Sequence, residues 1–421
     1  MIAPTPTTDG GGPRRRPRLA TLFIIVLVDL IGFGIIIPLL PFYAEHFGAS
    51  PDIVALLMAT YSLAQFVAAP LWGRLSDRIG RRPVLLMSLA GAIFAYIGLA
   101  FANSLWVLFA ARGVGGFMAG NIAAAVAYVA DITRPAERAR GMGLVGAAFG
   151  LGFIMGPAVG GLLAGPDPMQ ADYRQPALAA AVMSGAALIL AVVWLRESLA
   201  AEVRARLAAE PREGRFRQFV AVLGRRNVGI LIVINFLATF VFAGMEATFA
   251  LWSERRFAWG PAQNGYLFAF VGTVGAAVQG AAIGRLVGHL GEPRLVVIGA
   301  GALAVGLAMV PFVGGVPGLL AAMVVLVVGF SLTTPSLNSL ISLRVGENEQ
   351  GKVLGVTRAA AALARVVGPA WAGFLFAGLG KDWPFYGGAA VMASVFVLAL
   401  HVARRGRADA APPRGTPVDL P

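Results

Sequence analysis

The chain has 421 residues, of which 58% are hydrophobic and only 13% charged, and it contains no cysteine. Soluble domains have about a quarter of their residues charged, so this composition excludes an ordinary soluble protein and favours one solvated by lipid. The missing cysteine excludes disulfides and thiolate chemistry. The net charge of +13 would also suit a nucleic-acid-binding protein, and the placement of the basic residues decides between these classes.

Twelve mostly apolar stretches follow one another along the chain, each long enough to cross a hydrocarbon core of about 30 Å as a helix. The predicted spans are 19–43, 52–72, 83–102, 105–132, 139–164, 175–195, 227–250, 263–287, 293–313, 317–343, 353–379 and 383–403. The sequence therefore predicts an all-α polytopic membrane protein with twelve transmembrane helices.

Basic residues are concentrated in alternate loops between these spans. Four arginines precede the first span, four follow the second and eight follow the sixth, whereas the loops after the first, third and ninth spans have no Lys or Arg. Short loops rich in Lys and Arg stay in the cytoplasm, so both termini are predicted to be cytoplasmic, with the protein in the inner (plasma) membrane. The basic charge then reflects topology and attraction to anionic lipid, and no nucleic acid partner is predicted.

The twelve spans divide into two copies of six. Gly73-Arg74-Leu75 returns as Gly284-Arg285-Leu286 at an offset of 211 residues, and Gly156-Pro157 returns as Gly368-Pro369 at an offset of 212. An even number of spans in each copy gives both the same orientation, which is a parallel repeat.

Five segments follow from this division. We predict an N-terminal six-helix bundle at residues 19–195 and a C-terminal six-helix bundle at residues 227–403, joined by a cytoplasmic linker at residues 196–226. The cytoplasmic N-terminus, residues 1–18, and the cytoplasmic C-terminus, residues 404–421, are predicted to be disordered. The linker either carries a short interfacial helix or is a plain tether. The apolar stripe of that helix would consist of Leu207, Phe216, Phe219, Val220 and Leu223.

Several ionisable side chains fall inside the spans, where their burial is costly and usually marks function. Asp29 in the first span and Glu246 in the seventh are candidate proton-responsive carboxylates, and the intramembrane Arg112 needs a cavity or a partner. The alternatives are a satisfied polar residue for Asp29, a boundary residue for Glu246 and a structural ion pair for Arg112.

A second set of polar side chains is predicted to line a substrate cavity. Arg358 and Arg365 are seven residues apart and so share one helix face, where they would favour anionic or amphipathic substrates. Pairing with Asp29, Glu246 or lipid phosphate is the alternative. The other predicted cavity residues are Gln65, Asn121, Asn235, Gln279 and Asn338.

Two glycine-containing motifs stand out. Gly73 to Arg82 places five charges and two glycines between apolar runs, which predicts a tight surface loop whose Asp77 pairs with a neighbouring arginine or a helix N-terminus. The fifth span contains small residues for close helix packing and a proline kink, and generic packing is the alternative to a specific role. Those residues are Gly152, Gly156, Pro157, Gly160 and Gly161.

These motifs resemble those of the major facilitator superfamily, and within it the twelve-span drug/proton antiporters of the tetracycline type. Gly73 to Arg82 is similar to the signature loop between the second and third helices, and Gly152 to Gly161 to the antiporter motif. Asp29-Leu30-Ile31-Gly32 with Pro38-Leu39-Leu40-Pro41 resembles the motif at the start of the first helix in these antiporters. Arg112 resembles the arginine of a family motif that is thought to influence proton transfer.

The resemblance implies a conformational latch at the cytoplasmic face. Asp77 would brace the outward-facing state against the eleventh helix, and Arg81 would pair with Asp131 at the end of the fourth. The full predicted latch is Gly73, Asp77, Arg78, Gly80, Arg81, Arg82 and Asp131.

The function that follows is proton-coupled efflux of a small amphipathic, drug-like compound by a monomer that alternates access between the bundles. A facilitator or symporter for a sugar or organic acid is the first alternative, and a non-transporting receptor or scaffold the second. Ala95 stands where the tetracycline group carries an acid, so tetracycline itself is not implied. No nucleotide-binding or catalytic motif is present, and we predict no enzyme activity, cofactor or metal.

Overall fold

The computed structural model describes residues 15–119, 121–133, 135–200, 202–204, 215–346 and 349–410. In these ranges the regular secondary structure is helical, without strands. The eight helices of the N-terminal half are α1 Arg15–Ile36, α2 Leu40–His46, α3 Pro51–Ile79, α4 Arg81–Ala100, α5 Leu105–Met118, α6 Asn121–Ile132, α7 Pro135–Ala164 and α8 Arg174–Trp194.

The second half begins with a short helix in the linker, α9 Arg215–Leu223. It is followed by α10 Arg226–Phe257, α11 Pro261–Ala277, a π-helical turn Val278–Ala282, α12 Ile283–Leu290, α13 Glu292–Met309, a 3₁₀ turn Val310–Phe312, α14 Val316–Leu343, α15 Gln350–Leu379 and α16 Trp383–Ala410.

Eleven described helical segments are long and apolar enough to cross a membrane, and the shorter apolar helix α5, followed by α6, accounts for the remaining predicted span. The predicted span 105–132 consists of two helices, because α5 ends at Met118 and α6 begins at Asn121. Glycine is a poor helix former, and the glycine-rich sequence that follows Arg112 weakens the helix at this place.

The first span is also interrupted. Helix α1 ends at Ile36 and α2 begins at Leu40, with Pro38 between them. Proline lacks an N–H donor and clashes with the preceding helical turn, so the chain bends here. The bend turns α2 toward the C-terminal bundle, which α2 contacts through α10.

The predicted loop from Gly73 to Arg82 was wrong in its extent. Residues up to Ile79 belong to α3, and α4 begins at Arg81, so Gly80 alone makes the reversal. Its φ of +108° lies in a region that side chains with a Cβ rarely adopt. The charges between Gly73 and Ile79 therefore sit on a rigid helix end.

The packing repeats between the halves as the sequence repeat predicts. Gly156 of α7 packs against Gly34 of α1, and its counterpart Gly368 of α15 packs against Phe240 of α10. Between the halves, α7 lies against α11 and α3 lies against α15. The fold is therefore two parallel-repeat six-helix bundles joined along two equivalent helix pairs.

The glycines of α7 allow two helices to approach it from different sides. A Cβ added at Gly152 would lie 2.7 Å from the Leu30 Cβ, and a Cβ added at Gly156 would lie 2.6 Å from the Gly34 Cα. On the other side, a Cβ at Gly161 would lie 2.7 Å from the Pro261 carbonyl oxygen. Helix α7 is thus the element at which α1 of one bundle and α11 of the other meet.

The segments outside the bundles are described only in part. Helix α16 continues to Ala410, past the predicted boundary at 403, as the Ala and Arg content favours. The predicted disorder over 1–14 and 411–421 lies outside the described residues, and so does Leu207 of the predicted linker stripe. The stripe residues Phe219 and Leu223 pack against the core from α9, whereas Val220 is exposed.

We expect Gly156→Ala to destabilise the protein by about 1–3 kcal/mol, because the added methyl group meets backbone that cannot move aside. Gly150→Ala is the matched control in the same helix, since its Cβ would meet no described atom within 4 Å. There the higher helix propensity of alanine is worth about 1 kcal/mol. Thermal unfolding in detergent compares the two, and equal Tm values would contradict the packing role of Gly156.

Candidate functional site

The two bundles are in contact at the end opposite the linker, which we call the distal end. Helix α2 and the end of α10 meet there through an ion pair between Glu45 Oε1 and Arg255 Nη2 at 3.1 Å. The Ala262 N–H donates to the Gly165 carbonyl oxygen at 3.2 Å. These contacts close the distal end of the groove between the bundles.

At the linker end the same helices separate. A Cβ added at Gly143 or Gly146 of α7, or at Gly284 or Gly288 of α12, would meet no described atom within 4 Å. The change along α7 from tight contact near Gly161 to open space near Gly143 shows that the bundles diverge. The groove is therefore a cleft, closed at the distal end and open at the linker end.

Asp29 and Arg112 face the inside of the N-terminal bundle. Asp29 is 7% exposed and accepts a hydrogen bond from Ser184 Oγ at 3.0 Å. Arg112 is 6% exposed, and its guanidinium lies 4.3 Å from the ring centre of Tyr61. A cation over an aromatic face is stabilised by the ring quadrupole. Tyr61 of α3 therefore stabilises the guanidinium that α5 carries into the bundle.

The two charged groups share their surroundings. Tyr61 and Tyr96 each interact electrostatically with both Asp29 and Arg112. The Arg112 Nε has no hydrogen-bond partner among the described residues. A buried guanidinium nitrogen with an unused donor can bind another acceptor, such as a substrate or a water molecule.

In the C-terminal bundle, Glu246 and Arg365 face each other across α10 and α15. They interact electrostatically, although no ion pair within 4 Å joins them in the described part of the chain. Glu246 is half-buried and Arg365 is exposed. A separation of this kind leaves both groups able to bind a third partner.

Arg358 and Arg365 project from the inner side of α15. Ala372 lies seven residues after Arg365 and therefore on the same face of the helix. It packs against Gly244 of α10, where an added Cβ would lie 3.0 Å from the Ala372 Cβ. The exposed large apolar side chains of α15 lie on the opposite side: Leu363, Val367 and Phe374. Both arginines therefore lie on the side of α15 that is turned to the interior and away from this apolar side.

Helix α10 presents a polar stripe to the interior. Asn235, Thr239, Glu246 and Ser253 share one face at spacings of four and seven residues. Asn235 is 2% exposed, and its Oδ1 has no hydrogen-bond partner among the described residues. The periodicity of this stripe is visible in the sequence, so Thr239 could have been predicted together with Glu246.

The other predicted cavity residues differ in their surroundings. Gln279 lies in the π-helical turn and donates to Ser331 Oγ at 3.4 Å. Gln65 is half-buried, and Asn338 is exposed. The side chain of Asn121 lies outside the described residues. Gln279 is therefore an interhelical contact within the C-terminal bundle.

The turn between α3 and α4 gathers several of the predicted latch residues. Arg81 Nη1 donates to Asp77 Oδ1 at 2.7 Å and to Ser76 Oγ at 2.9 Å, and its Nε donates to Asp131 Oδ2 at 3.2 Å. Arg81 thus ties the ends of α3 and α6 to the start of α4. Arg82 instead donates to the Val192 carbonyl oxygen at 2.8 Å.

Glu197, a residue that the sequence analysis did not single out, fastens this turn to the linker. Its carboxylate accepts the backbone N–H groups of Arg81 at 2.9 Å and Arg82 at 3.1 Å. These are unsatisfied donors at the N-terminus of α4, where a negative charge is favourable. A Cβ at Gly80 would lie 2.7 Å from the Glu197 Cδ, so the carboxylate also requires this glycine.

The far end of the linker is tied to the C-terminal bundle. Arg225 forms two hydrogen bonds to Glu349, at 2.7 and 2.8 Å. These bonds and the arginine charge lower the pKa of Glu349 below its usual value, so it stays ionised at neutral pH. No three His, Asp or Glu side chains lie together as metal ligands would in the described ranges.

A cleft between two repeated bundles, open at one end only and lined by partly paired charges, defines an alternating-access membrane transporter. The family model of the Major Facilitator Superfamily matches residues 22–369 and 283–419. The chain belongs to the Major Facilitator Superfamily, and it is a multi-pass membrane protein.

Three relatives show where in this family the chain lies. It is 34% identical to the tetracycline resistance protein, class E, of Escherichia coli over 368 residues, 86% of this chain and 88% of the relative. It is 32% identical to the multidrug resistance protein 2 of Bacillus subtilis over 380 residues, 87% of this chain and 91% of the relative. The crystal structure of the human organic anion transporter MFSD10 (TETRAN) aligns with a TM-score of 0.69 and 26% identity, covering 92% of this chain and 100% of that one.

We expect Glu197→Ala to destabilise the protein by about 2 kcal/mol, because hydrogen bonds from the two N–H groups of α4 to a charged acceptor would be lost. Glu197→Gln keeps one acceptor oxygen and should cost about half as much. Thermal unfolding in detergent measures both. Glu202→Gln, at an exposed position of the linker, is the control, and a Tm loss as large as that of Glu197→Ala would contradict a specific role for Glu197.

Proposed function

We propose that the protein exports a small amphipathic, drug-like compound in exchange for protons. The observation that carries this proposal is that Asp29 and Arg112 are both buried and share two tyrosine neighbours, inside a bundle that borders a one-sided cleft. The similarity to tetracycline and multidrug resistance proteins supports this class of substrate. No enzymatic step and no cofactor are part of the proposal.

The orientation and partners are part of the same proposal. The arginine-rich linker end would face the cytoplasm with both termini, so the cleft is open inward and a cytoplasmic compound has access to it. The protein would act as a monomer in the inner membrane, with protons and lipid as its other partners and no nucleic acid. Arg81, Asp77 and Asp131 would form the latch of the cytoplasmic end.

Asp29 would carry the coupled proton. Burial favours the neutral form of a carboxyl group, whereas a hydrogen bond such as that from Ser184, or a positive charge close by, favours the ionised form. A substrate that approaches the free Arg112 Nε would change this balance. Proton loss and substrate binding would then be linked at adjacent groups. Glu246 and Arg365 would form the corresponding pair of the other bundle.

We expect Asp29→Asn to abolish substrate-dependent proton movement, because asparagine keeps the size and the Ser184 hydrogen bond but does not titrate. A susceptibility screen of expressing cells first identifies a transported drug. That drug is then added to everted membrane vesicles acidified inside by respiration, and acridine fluorescence reports the loss of the gradient. Drug-dependent proton release that is unchanged in Asp29→Asn would remove Asp29 from the mechanism.

The same assay separates export from uptake. Substrate addition dissipates an inside-acid gradient for an antiporter and deepens it for a proton symporter of a sugar or organic acid. Asp167→Asn, in the exposed loop at the distal end, is the control variant and should behave as the parent. Binding of a drug without any flux would favour the receptor alternative.

The charges of the cleft favour compounds with an acidic group. Arg358 and Arg365 are exposed on the inner side of α15 and would line the cleft, and Glu246 is the acidic group that interacts with Arg365. An arginine presents a fork of donors that matches a carboxylate. The organic anion transporter named above, with its 26% identity, is in accord with this preference.

We expect Arg365→Gln to reduce export of an anionic drug by at least about tenfold, the equivalent of one lost charge-assisted hydrogen bond. Export of a neutral drug should change much less. Arg294→Gln, at an exposed position of α13, is the control for a change in net charge. Equal losses for anionic and neutral drugs would contradict a charge-selective role for Arg365.

A further inference from the structure

A second pair of carboxyl groups joins the two bundles at the distal end. The Glu45 carboxyl group of α2 lies beside that of Glu254 of α10, the residue next to its ion-pair partner Arg255. Both glutamates are half-buried. This three-residue contact, which we call the distal bridge, is formed by side chains from different bundles.

The closeness of two carboxyl groups in the distal bridge favours a proton between them. Two ionised carboxylates offer only acceptors, so they repel and cannot bond to each other. One proton shared between Glu45 and Glu254 removes the repulsion and supplies the missing donor. The remaining negative charge is then balanced by Arg255, 3.1 Å from Glu45.

Other polar groups around the distal bridge are satisfied elsewhere. The Tyr43 hydroxyl donates to the carbonyl oxygens of Leu99 and Ala102, each at 3.1 Å, and Tyr173 donates to that of Pro168 at 3.2 Å. Burial, together with the charges of Glu254 and Glu45, raises the pKa of Tyr173, which therefore stays neutral.

On the side of the C-terminal bundle, Asp382 is bound by Lys381 at 2.7 Å and by the Trp252 indole at 2.8 Å. The Arg255 guanidinium lies 4.6 Å from the ring centre of Phe376. His46 is exposed and lies beside Tyr173, with 6.0 Å between the ring centres. The shared proton therefore belongs to the two glutamates, and His46 is the neighbouring side chain that the experiment has to control for.

Opening of the distal end must separate these groups. The bridge lies beside the contact of Ala262 with Gly165, and both join elements of opposite bundles. Once the bundles move apart, each glutamate is solvated separately and no longer needs the proton. The closed and open forms therefore bind different numbers of protons.

We propose that the distal bridge is a proton-binding gate, in which Glu45 and Glu254 take up one proton when the distal end closes and release it when that end opens. This site is distinct from Asp29. It depends on the alternating motion of the fold and not on which compound is transported.

The sign of the pH dependence follows from this stoichiometry. Because the closed form holds one proton more than the open form, acid favours closure and alkali favours opening. The ratio of closed to open molecules changes by at most about tenfold per pH unit for one proton. Substrate is not needed for the shift.

The lack of cysteine allows the gate to be measured directly by spin labels. Met169→Cys and Phe312→Cys place labels on opposite bundles near the distal end, at side chains 88% and 75% exposed. Pulsed electron paramagnetic resonance in detergent at pH 5.5–8.5 then reports the distance between the labels without substrate. Both faces experience the same pH, so the result is independent of membrane orientation.

We expect the labelled parent to show a growing population at long distance as the pH rises. Glu45→Gln and Glu254→Gln should each keep the short distance at every pH, because a glutamine amide donates to the remaining carboxylate without a shared proton. Asp29→Asn and His46→Gln should retain the shift of the parent. Monodisperse elution in size exclusion establishes that each variant is folded.

Two results would overturn the proposal. One is a parent whose distance distribution does not change with pH, which needs no variant to interpret. The other is a pH-dependent change in distance that remains in Glu45→Gln or in Glu254→Gln. A pH dependence that only His46→Gln or Asp29→Asn removes would have the same meaning. A failure of proton-coupled export in vesicles would leave this measurement intact, so the two proposals can fail separately.

Discussion

The cost of a charge in a low-dielectric interior is the constraint on which this structure depends. An arginine or aspartate at the centre of a lipid-facing helix costs about 3 kcal/mol or more. Asp29 is therefore held by Ser184, and Arg112 by the ring of Tyr61. These partners come from α8 and α3, so the charges also fix how the helices of the N-terminal bundle are arranged around its interior.

Close approach of helix backbones is the second requirement, and α7 provides it on two sides. Gly156 faces α1, while Gly161 faces α11 of the other bundle. The contact near Gly161 and the open space near Gly143 show where along α7 the two bundles touch and where they separate. Glycines of this kind therefore determine which parts of the two bundles can approach each other closely.

The topology could be predicted from the sequence because hydrophobic length and basic charge act locally. The interruption after Met118 and the continuation of α3 to Ile79 could not, since short runs with glycine are compatible with both helix and turn. Asp29, Arg112 and Arg365 were identifiable because charge inside a span is rare. Glu197 and Glu45 lie at span ends, where acidic residues are ordinary, and only tertiary contact reveals their partners.

The two carboxylate sites would contribute differently to the transport cycle. A proton on Asp29, inside the N-terminal bundle beside the cleft, can be bound from one side of the membrane and released to the other, so it can couple to substrate. The distal bridge exchanges its proton with the same solution on closing and on opening, so it adds nothing to the number of protons moved per cycle. Its effect is on populations: an acidic exterior would hold the distal end closed and return the empty transporter to the form that is open at the linker end.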